Sequence, residues 1–217
     1  MKRLGILLSG RGSNFEAIAK NIECARLAAE IAVVISNREE ARGIEIARER
    51  DLPAVVLPSK GVPREEYDCR LVSELHSHGV ELVCLAGFMR LLTPTLLDPF
   101  QGRVLNIHPS LLPAFPGLHA QRQALAAGVR LAGCSVHFVD AGTDSGALIA
   151  QAAVPIVAGD TEASLSERIL AQEHRIYPAA VGWVARGSVR LEAGRVVADP
   201  ELWTGAAAAS ALHSPPI

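Results

Sequence analysis

Six short apolar runs, separated by segments with helical periodicity, constrain the fold of this chain more than any other feature. The runs are rich in β-branched residues, and most end at or beside Gly, Ser, Asn or Pro, which is typical of buried strands. The predicted strands cover residues 3–9, 30–36, 53–57, 81–87, 103–107 and 134–139.

Helical patterns fill the gaps between these strands. They cover residues 14–28, 41–50 and 64–78, and Gly79 follows the third pattern as a helix-ending residue should. Regular alternation of strands and helices favours a parallel sheet with helices packed on both of its faces. The sequence therefore predicts an α/β fold built on an open, doubly wound and mostly parallel sheet.

The pattern changes in the last third of the chain, where we expect an antiparallel C-terminal extension of the sheet. Residues 148–157 have the pattern of a longer strand, which is expected to lie antiparallel at one end. Residues 161–187 have the pattern of a long helix with Thr161 as its N-cap. Because Ser164 is not acidic, no clean capping box is expected there.

The end of the chain divides into a hairpin and a tail. Residues 188–198 predict a hairpin that turns at Ala193 and Gly194. Residues 206–217 are low in sequence complexity and are predicted to be disordered. We expect residues 1–205 to form a single domain, because the sequence shows neither a linker nor an internal repeat.

Composition excludes several classes of partner. The formal net charge of −2 does not favour nucleic acid or an anionic membrane surface. The four cysteines are scattered without a C-x-x-C pair, which argues against a zinc site and fits a reducing cytosol. The N-terminus lacks the apolar stretch of a signal peptide, and no segment is long enough to span a membrane. We therefore expect a soluble cytoplasmic protein without a metal.

Unusual polar or glycine-rich segments follow four of the predicted strands. In an open α/β sheet, ligands bind outside the carboxyl ends of the strands, so we expect these segments to surround one site. They read SGRGSN (9–14), GFMRLL (87–92), NIHPSLLP (106–113) and DAGTDSG (140–146).

The SGRGSN segment suits a small phosphate. Gly12 lets the backbone approach a ligand closely, and Ser13 and Asn14 are good residues for the start of a helix, whose free N–H groups attract anions. No Gly-Lys-Ser/Thr follows, and Phe15 stands where the dinucleotide fingerprint has its third Gly. A monophosphate is therefore favoured over a pyrophosphate, and an ordinary tight turn is the alternative.

Asn106 and His108 lie two residues apart in a predicted strand, so their side chains point to one face. An amide donor and an imidazolium could together hold a developing oxyanion, and the imidazole can also exchange protons. The alternative is a structural histidine. Ser110 is the nearest hydroxyl, but no nucleophile elbow surrounds it. The pattern therefore favours attack by a group of the substrate over covalent catalysis.

Two aspartates in the DAGTDSG segment could serve this site. Asp144 close to His108 would favour the charged imidazole. Either Asp144 or Asp140 could instead bond to the amides of its own loop, and spacing alone does not choose between them.

Two further segments offer weaker signals. The GFMRLL segment places Phe88, Met89, Leu91 and Leu92 directly after a strand, where they could be core or could line a slot for a flat heteroaromatic group. Arg64 begins a predicted helix, where the helix dipole disfavours a cation. That position hints at an anionic partner, and a solvated surface arginine is the alternative.

Taken together, six motifs resemble the phosphoribosylglycinamide formyltransferase (glycinamide ribonucleotide transformylase) family of folate-dependent enzymes. The resemblance covers residues 3–187 and keeps the order and spacing of the family. The motifs are SGRGSN, GFMRLLTP, LNIHPSLLPAFPGLHA, GCSVHFVDAGTDSG, AQAAVPI and GDTEASLSERILAQEHRIYP.

The resemblance implies a Rossmann-like formyltransferase fold that transfers a formyl group from 10-formyltetrahydrofolate, as co-substrate, to the amine of glycinamide ribonucleotide in purine synthesis. It implies Asn106, His108 and Asp144 as the catalytic residues. The implied ribonucleotide-binding residues are Gly12, Ser13, Asn14 and Glu173. The implied folate-binding residues are Arg64, Met89, Arg90, Leu91, Leu92, Asn106, Asp140, Ala141, Gly142, Thr143 and Asp144.

The chain departs from the family pattern at Ala120 and Gln121, where the family often has Thr and His. That departure puts a proton-transfer role for position 121 in doubt. The resemblance implies small-molecule partners only, and a monomer or a homodimer.

Three other functions remain as alternatives. Methionyl-tRNA formyltransferase would have a longer chain with an RNA-binding domain, and formyltetrahydrofolate hydrolase an extra N-terminal domain. A catalytically silent folate- or nucleotide-binding module is the third, and the catalytic trio weighs against it.

Overall fold

Seven strands form one central sheet in the computed structural model, which describes residues 1–204. They are β1 (Lys2–Leu8), β2 (Ala29–Ser36), β3 (Ala54–Val56), β4 (Leu82–Leu85), β5 (Val104–His108), β6 (Leu131–Phe138) and β7 (Leu148–Pro155). Their order across the sheet is β3-β2-β1-β4-β5-β6-β7. Strands β1 to β5 are parallel, whereas β6 and β7 each run antiparallel to the preceding strand. The predicted open, mostly parallel sheet with an antiparallel extension is confirmed.

Helices cover both faces of this sheet. They are α1 (Ser13–Glu23), α2 (Arg42–Glu49), α3 (Arg64–Ser77), α4 (Pro94–Leu97), α5 (Ala120–Ala127), α6 (Glu162–Ala185) and α7 (Glu201–Thr204). Phe15 of α1, Ile44 of α2 and Ile169 of α6 are buried in one apolar cluster. Tyr67 and Leu71 of α3 are buried in a second cluster. Each cluster packs side chains of the sheet against a different set of helices, so the fold is doubly wound.

The direction of β6 corrects one step of the sequence argument. Leu105 pairs with Phe138 and His108 with Ser135, so β6 ends beside the start of β5. The segment after β6 therefore does not leave from the edge at which β1, β4 and β5 end. It reaches the site because it folds back, and its Asp144 carboxylate approaches His108.

Two local predictions about helices were wrong. Helix α1 ends at Glu23, five residues before the predicted residue 28, and Ala25 has a left-handed backbone with φ of 56° that stops the helix. Helix α6 begins with a complete capping box, because the Ser164 hydroxyl accepts from the Thr161 N–H (3.0 Å) while the Thr161 hydroxyl accepts from the Ser164 N–H (3.2 Å). A serine thus takes the place of the acidic residue.

The hairpin prediction is confirmed. Strands β8 (Val189–Glu192) and β9 (Arg195–Ala198) pair antiparallel, and Ala193 and Gly194 both have positive φ, as a type I′ turn requires. The short helices α4, α5 and α7 were not predicted. The predicted disorder of residues 206–217 lies outside the described residues. Among residues 1–204, no helix is long and apolar enough to cross a membrane.

Candidate active site

One large cavity of about 1590 Å³ opens where β1, β4 and β5 end. Its walls include the segments after β1 and β4, the end of β5, the 139–144 segment and one side of α6. All sequence-predicted site residues line it except Ala141, which is not among its lining residues. The segments singled out in the sequence therefore surround one site, as predicted.

Asp144 contacts both of the other predicted catalytic residues. Asp144 Oδ2 lies 3.3 Å from His108 Nδ1, and Asp144 Oδ1 accepts from Asn106 Nδ2 at 3.4 Å. His108 Nε2 lies 2.9 Å from the Phe115 carbonyl, which can only accept. Both ring nitrogens of His108 thus face oxygen acceptors, which fix the orientation of the ring.

The Asp144 carboxylate is set up to stay ionised. Burial raises its pKa, but the neighbouring His137 ring, the hydrogen bond from the Gly117 N–H and the nearby His108 outweigh burial and place the pKa of Asp144 below its ordinary value. The Gly117 N–H donates to Asp144 Oδ2 at 2.8 Å. A fixed negative charge therefore lies against one side of the imidazole.

His137 is a site residue that the sequence argument missed. It pairs with Asn106 across β5 and β6, so both side chains point to the same face. Its Nδ1 lies 2.8 Å from the Phe138 carbonyl and so carries a proton, while its Nε2 lies 3.1 Å from Asn106 Nδ2 and 3.7 Å from Asp144 Oδ1. Nε2 can therefore accept from Asn106, whereas its distance to Asp144 is too long for a hydrogen bond. The polar Ser135–x–His137 pattern inside a buried strand was the available signal.

The structure distinguishes the two aspartates of the 140–146 segment. Asp140 Oδ1 accepts from the Gly142 N–H (3.0 Å) and from the Ser145 hydroxyl (2.8 Å), so Asp140 is the residue that stabilises its own loop. Asp144 is the residue that reaches the imidazole. Its backbone is left-handed, with φ of 52°, a conformation in which aspartate is one of the few common non-glycine residues.

Neither Ser110 nor the buried cysteines Cys84 and Cys134 are set up to act as a nucleophile. The Ser110 hydroxyl is buried and donates to the Ala114 carbonyl at 2.6 Å. Burial raises the pKa of both Cys84 and Cys134 to about 12, so neither forms a thiolate near neutral pH. This agrees with the inference that the substrate supplies the attacking group.

The SGRGSN loop lies at one end of the cavity. Gly12 precedes α1 with φ of 80°, and a Cβ on it would come within 2.7 Å of the Gly43 Cα, so only glycine fits. Asn14, in the first turn, donates from Nδ2 to Glu173 Oε2 at 2.7 Å. The Asn14 Oδ1 acceptor is buried and has no partner among the described residues.

Glu173 is a buried carboxyl on α6, only 7% exposed. Burial raises its pKa above the ordinary value, although the hydrogen bond from Asn14 and the charge of Arg11 act in the opposite direction. A buried carboxyl beside an unpartnered acceptor is costly, because both groups have lost contact with water. Such a pair suits a ligand that carries hydroxyl donors.

The GFMRLL segment lies beside the SGRGSN loop and divides its apolar residues. Phe88 and Leu92 are buried in the core, as the structural alternative expected. Met89 and Leu91 are 57% and 46% exposed and line the cavity. Arg90 does not point its charge at an open slot, since it donates to the Ser59 carbonyl (3.1 Å) and the Val62 carbonyl (3.4 Å).

The structure also locates the remaining predicted site residues and the two positions that depart from the family pattern. Arg64 begins α3 and lines the cavity, while Gly142 and Thr143 line it beside Asp144. Ala120 is buried, and Gln121 lines the cavity. Within residues 1–204, no group of three or more His, Cys, Asp or Glu is placed to hold a metal ion.

The chain is thus a doubly wound α/β protein that presents an amide, an imidazole and a carboxylate in the cavity at its strand ends. A family model described as formyl transferase matches residues 2–181. The phosphoribosylglycinamide formyltransferase of Escherichia coli (strain K12) is 42% identical over 187 residues, which are 86% of this chain and 88% of that protein. The chain belongs to the formyl transferase family.

Two further relatives extend this result. A crystal structure of glycinamide ribonucleotide transformylase 1 from Symbiobacterium toebii matches with a TM-score of 0.89 and 50% identity, over 91% of this chain and 94% of that one. The trifunctional purine biosynthetic protein adenosine-3 of Drosophila pseudoobscura pseudoobscura is 47% identical over 192 residues, or 87% of this chain. This chain spans only 14% of the length of that relative.

Proposed function

We propose that this chain transfers the formyl group of 10-formyltetrahydrofolate to the primary amine of glycinamide ribonucleotide, a step of de novo purine synthesis. The observation that carries the proposal is one cavity that is lined by a phosphate-type loop after β1, a partly apolar loop after β4, and Asn106, His108 and Asp144. The names of the relatives in the family point to the same reaction.

The ribonucleotide binds at the α1 end of the cavity. Its phosphate lies against the N–H groups of Gly12, Ser13 and Asn14, where the helix dipole favours an anion. The ribose hydroxyls donate to Glu173 and to the unpartnered Asn14 Oδ1, which gives both buried acceptors a partner.

The folate binds against the segment that follows β4. Met89 and Leu91 cover its ring system, together with the backbone of Arg90 and Leu92 and of the 140–144 segment. Arg64, at the mouth, pairs with a carboxylate of the glutamate tail. The Arg90 side chain holds the 59–62 turn and is not itself a folate ligand.

Between the two substrates, the amine nitrogen attacks the formyl carbon and forms a C–N bond. The carbonyl electrons move to oxygen. The resulting oxyanion accepts from Asn106 Nδ2 in place of Asp144 Oδ1 and from His108 Nε2 in place of the Phe115 carbonyl, while the Asp144 carboxylate stays against His108 Nδ1. Collapse breaks the bond to N10 of the folate, and tetrahydrofolate leaves with a proton. Holding both substrates in one cavity supplies the gain from proximity.

The test follows product tetrahydrofolate spectrophotometrically, with and without glycinamide ribonucleotide. Formyl transfer predicts turnover only when the ribonucleotide is present. Turnover without it would instead support a formyltetrahydrofolate hydrolase. No turnover under either condition would support a silent binding module.

The remaining expectations stay predictions. A cytoplasmic location, the absence of nucleic-acid and membrane partners, and a monomer or homodimer are properties that fractionation and sedimentation would test. No resident metal takes part in the proposed reaction.

A further inference from the structure

A buried chain of three polar side chains connects the loop after β1 with the loop after β4. Ser9 Oγ accepts from the Met89 N–H at 2.8 Å and donates to Asn37 Oδ1 at 2.6 Å. Asn37 Nδ2 in turn donates to Ser59 Oγ at 3.1 Å. Ser9, Asn37 and Ser59 are 4%, 8% and 8% exposed, respectively, and we refer to them as the Ser9–Asn37–Ser59 relay.

The relay ends on segments that hold substrates in the proposed function. Ser9 opens the SGRGSN loop, and its backbone N–H also donates to the Gly87 carbonyl at 3.0 Å. Met89 belongs to the folate segment. At the far end of the relay, the Ser59 carbonyl accepts from Arg90 at 3.1 Å, and the turn that follows leads directly to Arg64.

Polar side chains in these positions are not explained by packing alone. A buried hydroxyl or amide costs about 1–3 kcal/mol if it lacks a partner, so replacing any member leaves its neighbours unpaired. Completely bonded networks of this kind fix one geometry, because each bond orients the next. The relay therefore makes the position of the folate segment depend on the position of the ribonucleotide loop.

We propose that Ser9, Asn37 and Ser59 are positioning residues that couple the two substrate subsites. A ribonucleotide that orders the 9–14 loop restrains Ser9, and through the relay it restrains Met89 and the 59–63 turn in the arrangement that holds folate. Each substrate then raises the affinity for the other by the same factor, because coupling between two binding sites is reciprocal. This inference rests on the subsites assigned under the proposed function.

Calorimetric titration of the whole chain tests the coupling. The Kd of glycinamide ribonucleotide is measured alone and with saturating tetrahydrofolate, which has no formyl group to transfer. We expect the wild-type ratio of the two Kd values to be about 5 or more. In Ser9→Ala the ratio is expected to fall to about 1. Asn37→Ala and Ser59→Ala keep the bond between Met89 and Ser9, so each should lower the ratio only in part.

Ser36→Ala is the matched control, because Ser36 is a fully buried serine at the end of β2 whose hydroxyl bonds to the Arg38 backbone. Its ratio should stay at the wild-type value. A wild-type ratio of 1, an unchanged ratio in both Ser9→Ala and Ser59→Ala, or an equal loss in Ser36→Ala would overturn the inference. Failure of the wild type to bind the ribonucleotide, or to transfer the formyl group, would count against the proposed function instead.

Discussion

Three residues around the cavity hold a left-handed backbone although they are not glycine. They are Phe115, His119 and Asp144, with φ of 54°, 59° and 52°. Such conformations cost free energy and persist where the surrounding structure fixes them. Here the conformations have a direct result, because the Phe115 carbonyl and the Asp144 carboxylate are the two groups that hold the His108 ring.

Asn106→Ala removes an amide donor without adding bulk or charge. If Asn106 stabilises the oxyanion, kcat should fall by about 10²–10³, as for other single oxyanion donors. The Kd of the ribonucleotide should change little, because that substrate binds at the α1 end. Steady-state kinetics and calorimetry measure the two quantities. A kcat within a few-fold of wild type would show that the role of Asn106 is structural.

Asp144→Asn keeps the shape of the side chain and suits the left-handed backbone, so it tests the charge alone. We expect kcat to fall by about 100-fold, because the imidazolium loses its negative partner. The pKa of Asp144 lies below its ordinary value, so the carboxylate is ionised across the neutral range. Steady-state kinetics near neutral pH, where this carboxylate is charged, measures the loss.

Asp140→Asn is the comparison for this variant, since Asp140 lies in the same segment but bonds to its own loop. Its effect should be on the KM of the folate more than on kcat. Equal losses of kcat in the two variants would mean that the shape of the loop matters and the charge beside His108 does not.

At the scale of helices and strands, the sequence correctly predicted the features that depend on the local pattern of apolar and polar residues. Apolar runs and helix stops defined β1 to β6, and the known geometry of parallel sheets brought three of the four segments to one edge. Strand direction is not encoded in this way, because a parallel and an antiparallel buried strand have the same apolar pattern. The reversal of β6 was therefore missed, and with it the register that places His137 beside Asn106.

Local chemistry also limited the prediction of helix ends. A hydroxyl at Ser164 closes the capping box of α6, although the sequence rule asks for Glu or Gln. Helix α4, of four residues, is too short for a periodic pattern to stand out. Asp144 and Asp140 could be told apart only once the loop had a defined shape.

Glu173 on helix α6 is expected to lower the stability of the fold and, at the same time, to contribute to ribonucleotide binding. Burial raises the pKa of this carboxyl in the folded state. The protein is therefore most stable below the pKa of the carboxyl in the unfolded chain, about 4.3, and loses stability as the pH rises through its pKa in the folded state. Glu173→Gln cannot ionise and still offers an oxygen to Asn14. It should unfold at a higher temperature than wild type at about pH 8, and at the same temperature near pH 4.

Thermal unfolding at both pH values measures this effect, and the KM of the ribonucleotide should rise in the same variant. Glu167→Gln is the control, because Glu167 is an exposed residue of the same helix, where neutralisation should change stability by less than about 0.5 kcal/mol. A Glu173→Gln variant that is less stable than wild type at pH 8 would contradict the account.

At the scale of the whole molecule, the cavity is built from segments that lie far apart in the chain. Asn14 near the start bonds to Glu173 on α6, 159 residues later, and Ser9 bonds to Met89, 80 residues later. Contacts of this kind form only when the sheet and both helical layers are assembled. A ligand that binds across them should therefore stabilise the entire fold against unfolding.

Glycinamide ribonucleotide at 100 times its Kd should stabilise the protein by about 2.7 kcal/mol. For a chain of this size, that free energy corresponds to a rise in Tm of about 5–10 °C in thermal unfolding. Glycinamide at the same concentration lacks the ribose phosphate and should leave Tm unchanged. An equal rise with both compounds would argue against a phosphate site at α1.

The left-handed backbone of Asp144 also restricts which mutations evolution can use at that position. Asp144→Glu would keep the charge but would place a poorly suited residue in this conformation, whereas Asp144→Gly would keep the conformation and lose the charge. Asn satisfies the backbone alone. Aspartate is thus the residue that meets both requirements, and lineages that leave it have no single substitution that preserves both features.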